Sequence, residues 1–369
     1  MRIETLGEGF VHRCEVTGHG SAAGGARLAN TGDGEILCSF ALSSGLGIND
    51  FVTTLARSAD NGQTWSLQGP VWPALAEKYA IFCSISREPV GQLVLSGERT
   101  AIDTPGETFW SDATQGLKQN ELVWSRSTDN GRTWAPPQAI PMPIPGSAEV
   151  PGALWVTRAG RWLVAYSPYN TFDPHVVVDR NQVVVVYSDN HGQTWHHTSM
   201  IRFPDQHSSA AEAWVVELAN GHLLGTCWHM NQADGSDHPN AYAISLDGGT
   251  TWQPTQSTGI MGQSTSLTPL ADGRTLFVYN QRRHGEVGVW MAVVQPTATD
   301  FGIQANQIIW RAQTATQSGS EGEHHQWTDF SFGEPHVAVL PDGTLLLVLW
   351  CNQPSGTGIR YARLKLIED

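Results

Sequence analysis

The sequence predicts an all-β chain folded as a six-bladed β-propeller of four-stranded antiparallel blades, and three observations carry that prediction. An eight-residue pattern S-x-D-x-G-x-T-W recurs at Ser58–Trp65, Ser127–Trp134 and Ser245–Trp252, and at Ser188–Trp195 with Asn190 in place of the acid. A second pattern, in which a Gly-bearing turn joins two apolar strands, recurs six times out of phase with the first. Sustained helical periodicity is absent, and 38 Gly, 20 Pro and 15 Trp in 369 residues describe strands joined by many turns.

The octapeptides start 69, 61 and 57 residues apart, the period of one supersecondary unit used repeatedly. Within each, a short acid or amide can fold back onto backbone N–H groups while Gly takes a conformation closed to other residues. The closing Trp then fills the space between neighbouring sheets. Asp60, Asp129, Asn190 and Asp247 are therefore read as turn supports rather than catalytic groups.

The second pattern places its turn glycines at Gly34, Gly91, Gly160, Gly221, Gly273 and Gly343, spaced by 57, 69, 61, 52 and 70 residues. Each interval has room for four short strands and their turns. After the fifth hairpin the box decays to a trace around Asp300 and Gly302, and the sixth runs into a C-terminal strand, GIRYARLKL. The N-terminal strand near Phe10 to Val16 is expected to complete the last blade, leaving no open edge. The whole chain, 1–369, is read as one domain.

A formal charge of −14 with only 21 Lys and Arg argues against a nucleic-acid partner, which requires a concentrated basic surface. A neutral or mildly charged small substrate fits better. No charged segment followed by an apolar run opens the chain, and no stretch of about 18 apolar residues occurs, so no membrane association is expected. The expectation is a cytoplasmic protein as the chain stands, or a periplasmic or secreted one where a signal has been removed. Cys14, Cys38, Cys83, Cys227 and Cys351 are odd in number and scattered, which indicates neither a disulfide framework nor a zinc site. The pairs His196/His197 and His324/His325 fall in loops without a nearby partner and are not read as metal ligands. No cofactor is implied.

In a propeller the innermost strand of each blade faces a central channel, so the residues just ahead of the six hairpins should converge on one mouth. Those segments supply Glu149, Glu212, Glu334 and His336. An acid on such a strand must be paired, hydrated or functional. His336 stands two residues from Glu334, a spacing that puts both on one face of a regular strand. Tyr169, Trp228 and His229 follow the third and fourth hairpins and add ring faces suited to sugars.

With these boxes the chain resembles the sialidase superfamily over nearly its whole length. The resemblance implies a six-bladed fold and a carbohydrate substrate. It maps a family Glu onto Glu212, within E-A-W-V-V-E-L-A-N-G, and the family's acid/base Asp onto Asp50, in the loop leading to the first box. Of three arginines that hold a sialic acid carboxylate, the first falls in GSAAGGARLANTGDG on Gly or Ala and the second on Trp228 and His229. Arg282 or Arg283 matches the third. The family's nucleophilic Tyr falls at or next to Glu334.

Glu in place of Tyr, together with fewer arginines, points towards a sugar without a carboxylate. The reading is an exo-acting glycoside hydrolase that uses Glu212 and Glu334 as its leading pair, with Asp50 as the alternative acid. Glu149, Arg282, Arg283, His336, Trp228, His229 and Tyr169 are its candidate substrate contacts. Two alternatives stay open: a propeller-fold polysaccharide lyase using His229 or His336 beside a uronate with Arg283 neutralising it, and a non-catalytic carbohydrate-binding propeller.

Overall fold

Alternating strand pairing accounts for almost the whole architecture. The structure is a computed structural model that describes residues 2–150, 152–318 and 327–367. Among these residues there is no α-helix, only the 3-10 turns Pro73–Leu75 and Trp327–Asp329. No helix is long and apolar enough to cross a membrane.

The strands form antiparallel meanders. Ala22–Asn30, Ile36–Ser43, Val52–Ser58 and Ser66–Pro70 make the first, and Tyr79–Arg87, Leu93–Ala101, Asn120–Ser127 and Gln138–Ile140 the second. A single parallel pairing, Val52 with Ile81, joins these two. The third contains Trp162–Tyr169, Gln182–Ser188 and His196–Arg202, with an interrupted first strand made of Ser147–Glu149 and Trp155–Val156. Ser208–Glu217 opens the fourth meander and Gln263–Pro269 the fifth, each of four strands. The last joins Phe332–Val339, Leu345–Gln353 and Gly356–Ile367 to Arg2–Arg13, which pairs antiparallel along Gly356–Ile367. The N-terminal strand thus supplies the outer edge of the C-terminal sheet, as its sequence position suggested.

The two repeats have the physical roles expected of them. All six hairpin glycines have φ between 78° and 96°, the left-handed region. In the first box Ser58 Oγ donates to Asp60 Oδ1, the Gly62 N–H donates to Ser58 Oγ at 2.9 Å, and Thr64 donates to Asp60 from both its amide and its hydroxyl. Trp65 Nε1 then donates to Gly62 O. Asn190 reproduces this turn with an amide, accepting from Thr194 N–H and donating to Thr194 Oγ1.

Between sheets the core is apolar. Ile36, Cys38 and Phe40 of the first sheet pack with Leu346, Val348 and Trp350 of the last. Polar contacts cross the same seam: the Leu28 N–H donates to His336 Nδ1, and Asn30 Nδ2 to Val339 O.

Candidate active site

The first strands of four sheets share a distortion that builds the site. Their ladders skip at Gly24/Arg27, Ala211/Trp214, Gln263/Thr265 and Gly333/His336. A residue with positive φ lies within each skip: Gly25 at 63°, Glu212 at 56°, Ser264 at 46° and Glu334 at 48°. Such bulges re-aim side chains, and three non-glycine residues held in this region are a concentration of strain typical of functional sites. Around them lies a cavity of about 700 Å³. Its lining takes Gly24, Phe82, Glu149, Glu212, Ser264 and Glu334 from the first strands of successive sheets, together with Glu98 from a second strand.

Glu334 faces an amide donor and a buried cation. Gly25 N–H donates to its Oε2 at 2.8 Å, and Arg27 Nη2 lies 3.8 Å from its Oε1. Arg27 is 1% exposed, donates to Ala26 O and Glu334 O, and lies over the Trp214 ring. Glu212 has the opposite character. Burial, then the Glu334 charge, raises its pKa to about 7, against the opposing pull of Arg27, the Ser264 hydroxyl and Arg282. Ser264 Oγ donates to its Oε1, whereas Oε2 is buried with no hydrogen-bond partner among the described residues.

Two further carboxyls complete the floor. Glu149 accepts from the Glu212 N–H at 2.9 Å, and burial followed by the Glu212 charge raises it well above the usual carboxylate range. Glu98 accepts from Asn120 Nδ2 at 2.7 Å and is raised to about 8 by burial and then by Glu334. Asn120 also exchanges hydrogen bonds with Ala148, so one buried amide fixes Glu98 against the strand that carries Glu149.

Seven of the sequence-predicted residues line the cavity: Glu149, Tyr169, Glu212, Trp228, Arg282, Arg283 and Glu334. Trp228 donates from Nε1 to Asp237, whose buried side chain also accepts from Gln263 and meets His284 at 2.8 Å. Arg282 spends Nε and Nη2 on Phe332 O and lies 3.9 Å from the Phe330 ring centre, and burial pushes its pKa down to about 9. Arg283 donates to Gly235 O and lies 3.5 Å from Asp237.

Three expected residues do not line it. Asp50 turns back to cap its own loop, accepting from Ser44 N–H and Ser44 Oγ, and the loop's contribution to the cavity comes instead from Leu46, Ile48 and Phe51. His336 lands away from Glu334 because the bulge between them breaks the period-two alternation. Its ring stacks on Trp214, and burial, with Arg27 adding, lowers its pKa to about 3. His229 stacks on Phe203 and His238 and meets Ser208 Oγ, and burial lowers it to about 4. Neither histidine is placed to take a proton from a ligand in this cavity. The pair His324/His325 lies outside the described residues.

Sequence reasoning missed Arg27, Glu98 and Asp237. Arg27 carried a signal, a cation inside the small-residue segment A-A-G-G-A-R-L-A of an innermost strand. Glu98 carried none, because it reaches the cavity from a second strand, beside Phe82 in the pairing register.

The family model for the BNR repeat-like domain matches residues 107–295, half of the chain. The chain belongs to this family, within the sialidase superfamily. A sialidase of Bacteroides fragilis (strain YCH46) is 24% identical over 227 residues, covering 55% of this chain and 37% of that protein. The chain thus matches well under half the length of this curated relative. Among solved structures, a protein of unknown function from Dyadobacter fermentans DSM 18053 superposes with a TM-score of 0.77 at 18% identity, covering 99% of each chain. The α-L-arabinanase of Penicillium chrysogenum complexed with arabinobiose superposes with a TM-score of 0.61 at 13% identity, covering 98% of each. At these identities the likeness establishes a shared fold.

Proposed function

We propose that the protein is an exo-acting glycoside hydrolase for a terminal neutral sugar, built as one six-bladed β-propeller domain with its active site at the axis. The observation that carries the reading is a pair of carboxyls of opposite character on one cavity floor. Glu212, its pKa raised to about 7, holds its proton into the neutral range and has an oxygen without a hydrogen-bond partner among the described residues, whereas Glu334 receives the Gly25 amide and the approach of Arg27. Such a pair divides the labour of glycoside cleavage. Glu212 donates its proton to the leaving oxygen, and Glu334 attacks the anomeric carbon or takes a proton from the water that does.

A neutral sugar is favoured because Arg27 and Arg282 both donate to backbone carbonyls while four carboxyls, Glu98, Glu149, Glu212 and Glu334, line the same cavity. The structural relative named as an α-L-arabinanase has arabinobiose, an uncharged disaccharide, in its complex. The lining rings of Tyr169, Trp228 and Trp350 supply faces for sugar stacking.

The test is mass-spectrometric product analysis after incubation with neutral, uronate-bearing and sialylated oligosaccharides, using the wild type and the Glu212→Gln and Glu334→Gln variants. The expected result is a released neutral monosaccharide, heavier by water than the residue lost, and absent with either variant. An unsaturated product without added water would establish a lyase, and no turnover across the panel would remove the hydrolase reading. Proton NMR of the first anomer formed distinguishes attack by Glu334 from activation of water.

A further inference from the structure

Arg180 is a cation of the cavity wall with no hydrogen-bond or ion-pair partner among the described residues. It lies in the loop between Trp162–Tyr169 and Gln182–Ser188, lines the cavity, and rests with its guanidinium 5.2 Å from the Tyr169 ring centre. Its Nε is buried without an acceptor among the described residues. The neighbouring Asp179 does not neutralise it, because that carboxylate is engaged by Arg202 and Gln182. An arginine stacked on an aromatic face keeps its fork of donors pre-organised and presents it edge-on, the arrangement that receives a carboxylate in two parallel hydrogen bonds.

The ladder fixes where this cation stands relative to the floor. Glu149 pairs with Ser167, and Ser147 with Tyr169. Tyr169 is therefore one same-face step, roughly 7 Å, beyond the level of Glu149 towards the connecting loop. Glu149 and Arg180 both lie close enough to the Tyr169 phenol to act on it, with opposite sign. Around Arg180 the wall is aromatic. Trp110 meets Tyr169 edge-on at 6.5 Å and Trp327 at 6.1 Å, and Phe109 stacks on Trp327 at 5.3 Å. Tyr169 stands at the end of its strand, Trp110 in the short strand Trp110–Ser111 and Trp327 in a 3-10 turn, whereas Glu149, Glu212 and Glu334 lie on first strands.

We propose that Arg180 and the Tyr169–Trp110 wall form a leaving-group subsite for a uronic acid residue, so that the preferred glycan carries its neutral terminal sugar on a uronate. The inference rests on the proposed hydrolase reading for its direction. Within it, the carboxylate pairs with Arg180 while the sugar ring lies against Trp110. The acidic floor keeps the uronate out of the position occupied by the cleaved sugar, because a carboxylate there would face Glu334 and the other acids.

The probes are short oligosaccharides carrying a neutral terminal sugar on glucuronate, together with the same compounds after reduction of the carboxyl to an alcohol. Binding is measured by calorimetry on the Glu212→Gln protein with and without Arg180→Gln, and hydrolysis on the wild type and the Arg180→Gln and Arg180→Lys variants. The expected result is at least tenfold tighter binding of the uronate form, weakening as salt rises. Arg180→Gln should abolish that preference and raise KM for the uronate substrate at least tenfold while changing kcat less than threefold, and Arg180→Lys should restore part of it. Equal losses on both members of a pair would show that Arg180 only packs against Tyr169 and would overturn the subsite. Equal affinity of the Glu212→Gln protein for both members would also overturn it. Charge-selective binding without hydrolysis would sink the hydrolase reading and leave the uronate site standing.

Discussion

The Gly25 N–H donates to Glu334 Oε2 at 2.8 Å, joining residues 309 positions apart across the seam between the first and last sheets. A Cβ on Gly25 would stand 1.9 Å from Phe82 Cε2, and φ is +63°. Gly25→Ala should therefore cost about 2–4 kcal/mol of stability, from left-handed strain plus overpacking. It should also reduce kcat by displacing the backbone N–H that donates to Glu334. Denaturant unfolding and a kinetic assay on the same preparation check both effects, and an unchanged kcat would detach the seam from catalysis.

Burial first, and the Glu334 charge second, raise the pKa of Glu212. A carboxyl that must be protonated to act loses activity as pH rises through its pKa, so kcat/KM should fall above about pH 7. Replacing the Glu334 charge in Glu334→Gln leaves Arg27 and Arg282 facing Glu212, and its pKa should fall. Carboxyl carbon NMR of selectively labelled protein reads this directly in the inactive variant. A Glu212 titration unmoved by the substitution would show that burial alone raises it.

Asp129 tests the turn repeat. Hydrogen bonds from the Thr133 hydroxyl and amide, with burial opposing and Ser127 and Arg132 adding, hold its pKa at about 2. Its folded value lies below the unfolded value of about 3.9, so its stabilising contribution is present above that range and lost as pH falls through about 2. Asp129→Asn keeps the turn, as Asn190 demonstrates, and should cost only about 1 kcal/mol near neutral pH. The gap between wild type and variant should close as the pH falls from 5 to 2. A constant gap in acid unfolding curves would deny Asp129 this role.

Asn120 holds the two acids of the second and third sheets in register. Asn120→Ala removes the donor to Glu98 and leaves both polar groups of buried Ala148 without their partner, a loss of about 2–4 kcal/mol. Hydrogen exchange at the Ala148 amide should accelerate more than at strands remote from this contact. Uniform acceleration would assign Asn120 to general packing.

The turn repeats were legible because their hydrogen bonds close within eight residues, so residue type and spacing carry the geometry. The hairpin glycines were legible for the same reason, since a two-strand turn with positive φ leaves a local mark. Glu149, Glu212 and Glu334 stood out as acids on apolar first strands, and a shared position ahead of each hairpin brings them together.

Tertiary structure decided what period-two counting cannot. Bulges at Glu212 and Glu334 invert the local face, which sends Glu334 to the cavity and His336 into the packing against Trp214. Arg27 meets Glu334 only because the first and last sheets pack together, a contact spanning most of the chain. Asp50 had the right residue type in the expected loop, yet two hydrogen bonds from Ser44 hold it in a cap. Local sequence specifies turns and strands through short-range hydrogen bonding. The direction of a side chain at a bulge, and the partner it finds across a seam, follow from how whole sheets pack.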